Sequence, residues 1–170
     1  MSDAVIGLSL QKSYLSKAGA QYIGDQAEAL KVRLKEFFKT VDKKNTIYFT
    51  REIHNTNDIF YRNSRSHAIV GSSDIEIIET LKPYSKFMIN TSRFNALYMT
   101  PLESELKKAG FKRIYLVGVE THTNVLFTAE ELRNRGYEVI VYEPLVASQD
   151  SYMHAAGINV MSNTLSVEVV

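Results

Sequence analysis

The sequence predicts an α/β fold, a three-layer α/β/α sandwich around a six-stranded, mostly parallel sheet, in a single domain spanning residues 1–170. Three observations carry this. Hydrophobic spacing switches repeatedly between short β-like runs and helical periodicity. The strand-like and helix-like segments alternate, which calls for right-handed crossovers and a sheet covered on both faces. No repeat, low-complexity stretch or Pro/Gly-rich linker divides the 170 residues, a length that buries a core without disulfides.

The elements follow in order. Residues 4–9 form a short apolar run suited to a buried strand. Ala27, Leu30, Leu34, Phe37, Phe38 and Val41 then recur at helical spacing, with Lys31, Arg33, Lys35 and Glu36 opposite, as in an amphipathic helix packed on a sheet. Residues 46–50 (Thr-Ile-Tyr-Phe-Thr) are β-branched and aromatic, a second strand. Residues 51–73 have neither period and read as a loop, of a length that is usually functional. A short helix over 75–81 and a strand over 86–89 come next. Residues 101–109 read as a helix with Pro101 at its first turn and Gly110 at its end. The pattern continues with a strand over 113–117, a helix over 124–135 closed by Gly136, a strand over 138–142, a helix over 151–162 and a last strand over 165–169.

Composition narrows the class. Lys plus Arg number 20 against 19 Asp plus Glu, and a net charge of +1 offers no electrostatic reason for nucleic acid or an anionic membrane as partner. No apolar run reaches the roughly 20 residues that span a bilayer, and Met1 to Leu10 lacks the pattern of a signal peptide. With no cysteine there are no disulfides and no thiolate metal sites. A cytoplasmic globular protein is the expectation.

Ligands of parallel α/β sheets bind beyond the carboxyl ends of the strands. Ser9, Arg51 with Glu52, Thr91 and residues 118–124 all follow strands at that end. The run Gly118-Val119-Glu120-Thr121-His122-Thr123-Asn124-Val125 leads from a strand into a helix, so position 124 meets the partial positive charge and free N–H groups of a helix start. A thiol there would be activated, but Asn124 is no comparable nucleophile.

At this point the chain resembles the isochorismatase-like hydrolases, the superfamily of nicotinamidases and related cysteine hydrolases, along nearly its whole length. Leu116-Val117-Gly118-Val119-Glu120-Thr121, then Asn124-Val125-Leu126-Phe127-Thr128-Ala129 and Gly136-Tyr137-Glu138-Val139, are similar to that family's Gly-Val-x-Thr, Cys-Val, Thr-Ala and Gly-Tyr-x-Val sequence. Leu10-Gln11, Ala96 with Tyr98, Thr100-Pro101-Leu102 and His67-Ala68-Ile69-Val70-Gly71-Ser72 add to it. The resemblance implies a Rossmann-like sheet, a cis peptide between Val119 and Glu120, and a homo-oligomer. It also implies an apparatus of Asp as base, Lys as charge stabiliser and Cys as nucleophile, with backbone N–H groups holding an oxyanion. In this chain those positions are Ser9, Thr91 and Asn124. All three chemical groups are replaced, and with the Asp goes the thiol-free protonation of a vinyl ether that some relatives use.

Glu52 and His54 point the same way in an extended segment, and His67 could close a ligand sphere on them. A carboxylate and two imidazoles suit zinc, iron or manganese. Nicotinamidase-like relatives hold a divalent metal through an Asp-x-His pair and a later His, which Glu52, His54 and His67 resemble. The bland alternative is hydrogen-bonded loop side chains. Glu120, Thr121, His122 and Thr123 line the loop as pocket or oxyanion residues, although a loop histidine such as His122 is more often merely polar, and His154 in the final helix reads as structural or surface. Tyr14, Phe60, Tyr61, Phe94 and Tyr98 form either an aromatic wall beside a small ligand or packing against the core or another subunit. Arg51, Arg62, Arg65 and Arg93 either hold an anion or are dispersed surface charge.

Two functional expectations follow. The first is a family member without the catalytic triad, an inactive protein that binds a small molecule or serves assembly. The alternative is an active hydrolase of a small C–N or ether substrate with altered, metal-assisted chemistry.

Overall fold

β1 (Ala4–Leu8) is buried at all five positions and lies near the middle of a sheet ordered β3-β2-β1-β4-β5-β6. Its neighbours are β2 (Thr46–Glu52) and β4 (Arg113–Val119); β3 (Phe87–Thr91) lies beyond β2, and β5 (Glu138–Ala147) and β6 (Glu168–Val169) lie beyond β4. Every pairing is parallel. The computed structural model describes residues 3–41, 43–61 and 65–170, Tyr61 through its backbone alone. Arg62 and the Tyr61 side chain, read from the sequence as an anion ligand and part of an aromatic wall, lie outside the described residues.

Alternation along the strands builds two cores. Val5, Ile47, Phe49, Val117 and Val119 pack against α2 (Gln26–Val41) through Ala27, Leu30, Leu34 and Phe38. Ala4, Ile6, Leu8, Ile114, Leu116, Val139 and Val141 face the other way, onto α3 (Leu102–Ala109), α4 (Leu126–Asn134) and α5 (Ser151–Asn163). Burying Leu30, Leu34 and Phe38, all fully excluded from solvent, contributes about 2 kcal/mol each. The apolar positions named from helical spacing are the ones that fill this side. Phe37 and Val41 flank the stripe and pack against its edge.

The order 3-2-1-4-5-6 reverses between β1 and β4, so their carboxyl ends open the crevice that doubly wound sheets use for ligands. Gly118 makes that crevice narrow. With φ at 126°, it sits where a Cβ would lie 2.1 Å from the Leu8 carbonyl oxygen, and β4 slips register against β5 between Leu116 and Gly118. A glycine is the residue that lets β4 come this close to β1.

Five features differ from the pattern reading. β2 continues past Thr50 to Glu52, because β3 lies alongside and pairs Arg51 with Asn90 and Glu52 with Thr91. No helix covers 75–81: two 3-10 turns, Ser73–Ile75 and Glu79–Tyr84, flank Ile77, which bridges to Gln11. β5 runs on through Pro144 to Ala147, and the last strand shrinks to two residues. A one-turn helix, α1 (Lys12–Leu15), follows β1 where the sequence had suggested no element.

Candidate functional site

Glu52 is the centre of the crevice. It ends β2 with its side chain fully buried, and Gln11 clamps its backbone from both sides: the Glu52 N–H donates to Gln11 Oε1 at 2.8 Å and Gln11 Nε2 donates to the Glu52 carbonyl at 3.2 Å. The carboxylate is thereby held against the ends of both β1 and β4.

Its two oxygens serve different neighbours. Oε1 accepts from the Ser9 hydroxyl at 3.2 Å and from Asn124 Nδ2, which also donates to Ser9 Oγ at 2.6 Å. Oε2 accepts from the Tyr14 hydroxyl at 2.9 Å and faces His67 Nε2 at 3.0 Å and His54 Nε2 at 3.4 Å. Ser9, Glu52, His54, His67 and Asn124 are all buried. Burial alone would disfavour an ionised Glu52, but hydrogen bonds from His54 and His67, the charge at His67 and the Asn124 amide outweigh it and hold the carboxyl well below its usual range. For His67 burial again opposes charge, while the hydrogen bond and charge of Glu52, the Arg65 carbonyl and Asp74 raise it above the ordinary histidine value. His67 Nε2 thus faces Glu52, and its Nδ1 faces the Arg65 carbonyl 3.3 Å away.

Local backbone places these groups. Ser9 leaves β1 with φ at 51°, an uncommon left-handed conformation for a side chain, and its N–H donates to Thr50 Oγ1 at 3.1 Å. Asn124 lies in a π-helical turn, Thr121–Val125, that opens α4, the kind of wide turn often met at functional sites. The Val119–Glu120 peptide that leads into this turn is cis, as the sequence resemblance implied.

The remaining expected residues divide between this cluster and its surroundings. Thr91 is buried beside Glu52 in the β2–β3 register, its carbonyl accepting from the Ile53 N–H at 2.9 Å. Thr123 touches the cluster through its hydroxyl, 3.0 Å from Asn124 Oδ1. Glu120, Thr121 and His122 turn the other way. Glu120 Oε1 accepts from the Gln149 N–H at 2.9 Å, Thr121 Oγ1 lies 2.8 Å from His154 Nδ1, and His122 Nδ1 lies 2.9 Å from Ser148 Oγ. These side chains tie the loop to the start of α5.

Tyr98 is half exposed and lines a separate groove of about 450 Å³ with Phe60, Phe94 and Phe127. Phe60 meets Phe94 edge to face, Phe94 stacks on Phe127, and the Arg93 guanidinium lies over Phe60 at 5.0 Å while pairing with Asp58 at 2.9 Å. Tyr14 is not part of this wall: it stands in the Glu52 cluster, edge-on to His67. Arg51 donates to Asn90 Oδ1, so Arg51 and Arg93 are engaged with neighbouring strand and loop groups.

Glu52, His54 and His67 each offer an atom within 4.8 Å of the others, a group that could hold a metal ion. The donor set fits. One carboxylate oxygen and two imidazole nitrogens suit zinc, iron or manganese. His67 Nδ1 lies 3.3 Å from the Arg65 carbonyl, an arrangement that would fix the ring with Nε2 toward an ion. Sequence reasoning missed the roles of Gln11 and Tyr14. Their three-residue spacing on a single helical turn directly after a buried strand was the available signal.

A doubly wound parallel sheet with a buried polar cluster at its strand-order reversal places that cluster where α/β proteins of this class bind ligands. The isochorismatase domain model matches residues 3–169, and the chain belongs to the isochorismatase family. An uncharacterized isochorismatase family protein, PncA of Bacillus subtilis (strain 168), is 24% identical over 184 residues, covering 99% of each chain. The crystal structure of nicotinamidase/pyrazinamidase PncA from Bacillus subtilis superposes with a TM-score of 0.92 at 22% identity, covering all of both chains. A pyrazinamidase of Pyrococcus horikoshii, solved in complex with zinc, gives a TM-score of 0.86 at 19% identity over 100% of this chain and 99% of its own.

Proposed function

We propose that this protein is a family member without the acid, cation and thiol of the amidase apparatus, its site rebuilt around Glu52 as a metal-holding centre for a small polar ligand. The observation that carries the reading is that Ser9 and Asn124, the positions expected for the acid and the thiol, both spend their polar groups on one oxygen of Glu52. An amide nitrogen shares its lone pair with the carbonyl and does not attack a substrate. A serine hydroxyl is no acid at neutral pH, and Thr91 brings no positive charge.

Glu52 Oε2, His54 Nε2 and His67 Nε2 would hold the metal. When bound, such an ion supplies Lewis acidity toward a ligand oxygen or water. Ser9 and Asn124 keep Glu52 Oε1 turned away and so orient Oε2, and Gln11 fixes the strand end that carries both. A nitrogen that holds an ion must be free of its proton, so uptake at His54 and His67 would be weakened at low pH.

The test is elemental analysis and zinc titration calorimetry of the purified protein beside Glu52→Gln and His54→Ala, together with assays on nicotinamide, isochorismate and simple amides. Stoichiometric zinc, lost in both variants, with no turnover, is expected. Steady turnover abolished by Asn124→Ala would sink the reading.

A second reading, a metal-assisted hydrolase of a small C–N or ether substrate, is favoured by Glu52 linking the metal candidate to the positions where the family's chemistry is expected. It requires turnover by zinc-loaded protein that disappears with chelation and in His67→Ala. The exposed Phe60, Tyr98, Met99 and Phe127 support self-association, to be read by light scattering. Among the described residues no helix is long and apolar enough to cross a membrane, and a chain without cysteine suits the reducing cytoplasm.

A further inference from the structure

Three heteroatoms from three segments converge in the Glu52 cluster. Tyr14 Oη lies 2.9 Å from Glu52 Oε2 and 3.1 Å from His67 Nε2, and those two lie 3.0 Å apart. The phenol donates to Glu52 Oε2, and all three edges of this near-equilateral triangle are of hydrogen-bond length. The triangle has the size of a coordination face. Ligands at about 2.1 Å from a metal stand about 3.0 Å apart when cis in an octahedron and about 3.4 Å apart in a tetrahedron. The fourth atom, His54 Nε2, is 3.4 Å from the same Oε2.

The phenol is held where it is by backbone. α1 follows β1 directly, the Tyr14 N–H bonds back to the Gln11 carbonyl, the Ile23 N–H donates to the Tyr14 carbonyl at 3.0 Å, and the ring lies edge-on to His67 at 75°. Only 3% of Tyr14 is exposed. Gln11, one residue before α1, is the same residue that clamps Glu52. The segment that carries the phenol and the strand end that carries the carboxylate therefore move as one piece.

We propose that Tyr14 is a fourth protein ligand of this centre, its phenolate oxygen binding the metal beside Glu52, His54 and His67. This rests on the metal reading of Glu52, His54 and His67. Ligation replaces the Tyr14 O–H bond with an O–metal bond and the phenol proton leaves to solvent; no electron is transferred. A phenolate adds a second negative charge to the ligand set and biases it toward a hard, highly charged ion such as ferric iron.

The experiment loads the metal-free full chain with one equivalent of ferrous ion under anaerobic conditions and then admits air. After desalting, iron content and the visible spectrum are recorded for wild type, Tyr14→Phe and Glu52→Gln. Wild type is expected to retain one iron per chain and to show a phenolate-to-iron charge-transfer band. Tyr14→Phe should lose the band, hold iron at least tenfold more weakly and keep its circular dichroism spectrum; Glu52→Gln should lose both iron and band. Iron retained by wild type without a visible band, or a band that persists in Tyr14→Phe, overturns the role of Tyr14 and leaves the three-residue centre standing. A wild-type chain that retains no iron, and takes up no zinc in calorimetry, overturns the centre itself and Tyr14's part in it.

Discussion

The Asn124 side-chain nitrogen lies 2.6 Å from the Ser9 hydroxyl oxygen, joining residues 115 apart in the chain at the carboxyl ends of neighbouring strands. Both groups then converge on Glu52 Oε1. A buried carboxylate with this many donors organises the end of the sheet, and its partners can be removed one at a time.

Asn124→Ala removes a donor from a buried charged acceptor and is expected to lower unfolding free energy by about 1–3 kcal/mol. Urea denaturation checks this. Asn124→Cys restores a thiol at the start of α4, but Ser9 and Thr91 still supply neither acid nor cation. Its turnover of nicotinamide is expected to stay at background, because such groups act as a unit.

Glu52→Gln keeps the volume but removes the charge that three candidate partners face. Zinc affinity in calorimetry is expected to fall at least tenfold, a loss of the size that ligand and supporting-group changes produce at metal sites. Glu138→Gln, whose carboxylate pairs with Arg113 on an exposed strand end, is expected to leave affinity unchanged.

In the metal-free protein, the Glu52–His67 pair makes stability depend on pH in two directions. Burial opposes charge on both groups, yet the hydrogen bonds of His54, His67 and Asn124 lower Glu52 and the hydrogen bond and charge of Glu52 raise His67. A lowered carboxyl contributes stability above its unfolded value of about 4.3, lost as pH falls through the folded value. A raised imidazole contributes below its unfolded value of about 6.5, lost as pH rises through the folded value. The urea midpoint of chelator-treated protein is therefore expected to peak between about pH 4.5 and 6.5. Glu52→Gln should flatten the alkaline side of that curve.

Gly118→Ala places a methyl where the Leu8 carbonyl oxygen already stands, at a φ that alanine seldom adopts. Backbone cannot move aside as a flexible side chain would, so the loss should exceed the roughly 1–3 kcal/mol of a strained residue alone. Thermal unfolding checks it. Gly71→Ala, where a Cβ would meet open space but φ is also positive, separates the steric cost from the conformational one.

Six strands, their alternation with helices and the apolar stripe of α2 were legible in the residue pattern, because burial on a sheet imposes periods of about 2.0 and 3.6 that side-chain polarity records. The same facing of alternate residues made Glu52 and His54 a candidate pair. Polarity was a poor guide to where β2 ends: Arg51 and Glu52 look like loop, and only β3 lying alongside keeps them in the sheet. Ile77 likewise has a helix-like context, but its backbone bridges to Gln11 instead.

Order along the chain says which chemical groups exist, and here it puts Ser9, Thr91 and Asn124 at the positions that the resemblance implies for Asp, Lys and Cys. It does not say which side chains meet, because Ser9, Tyr14, Glu52, His67 and Asn124 come from five separate segments. Their meeting depends on the strand order, on Gly118 admitting β4 against β1, and on Gln11 gripping the end of β2. Contacts between residues 38 to 115 apart are set by how the layers close, and closure leaves no local signature in the sequence that produces it.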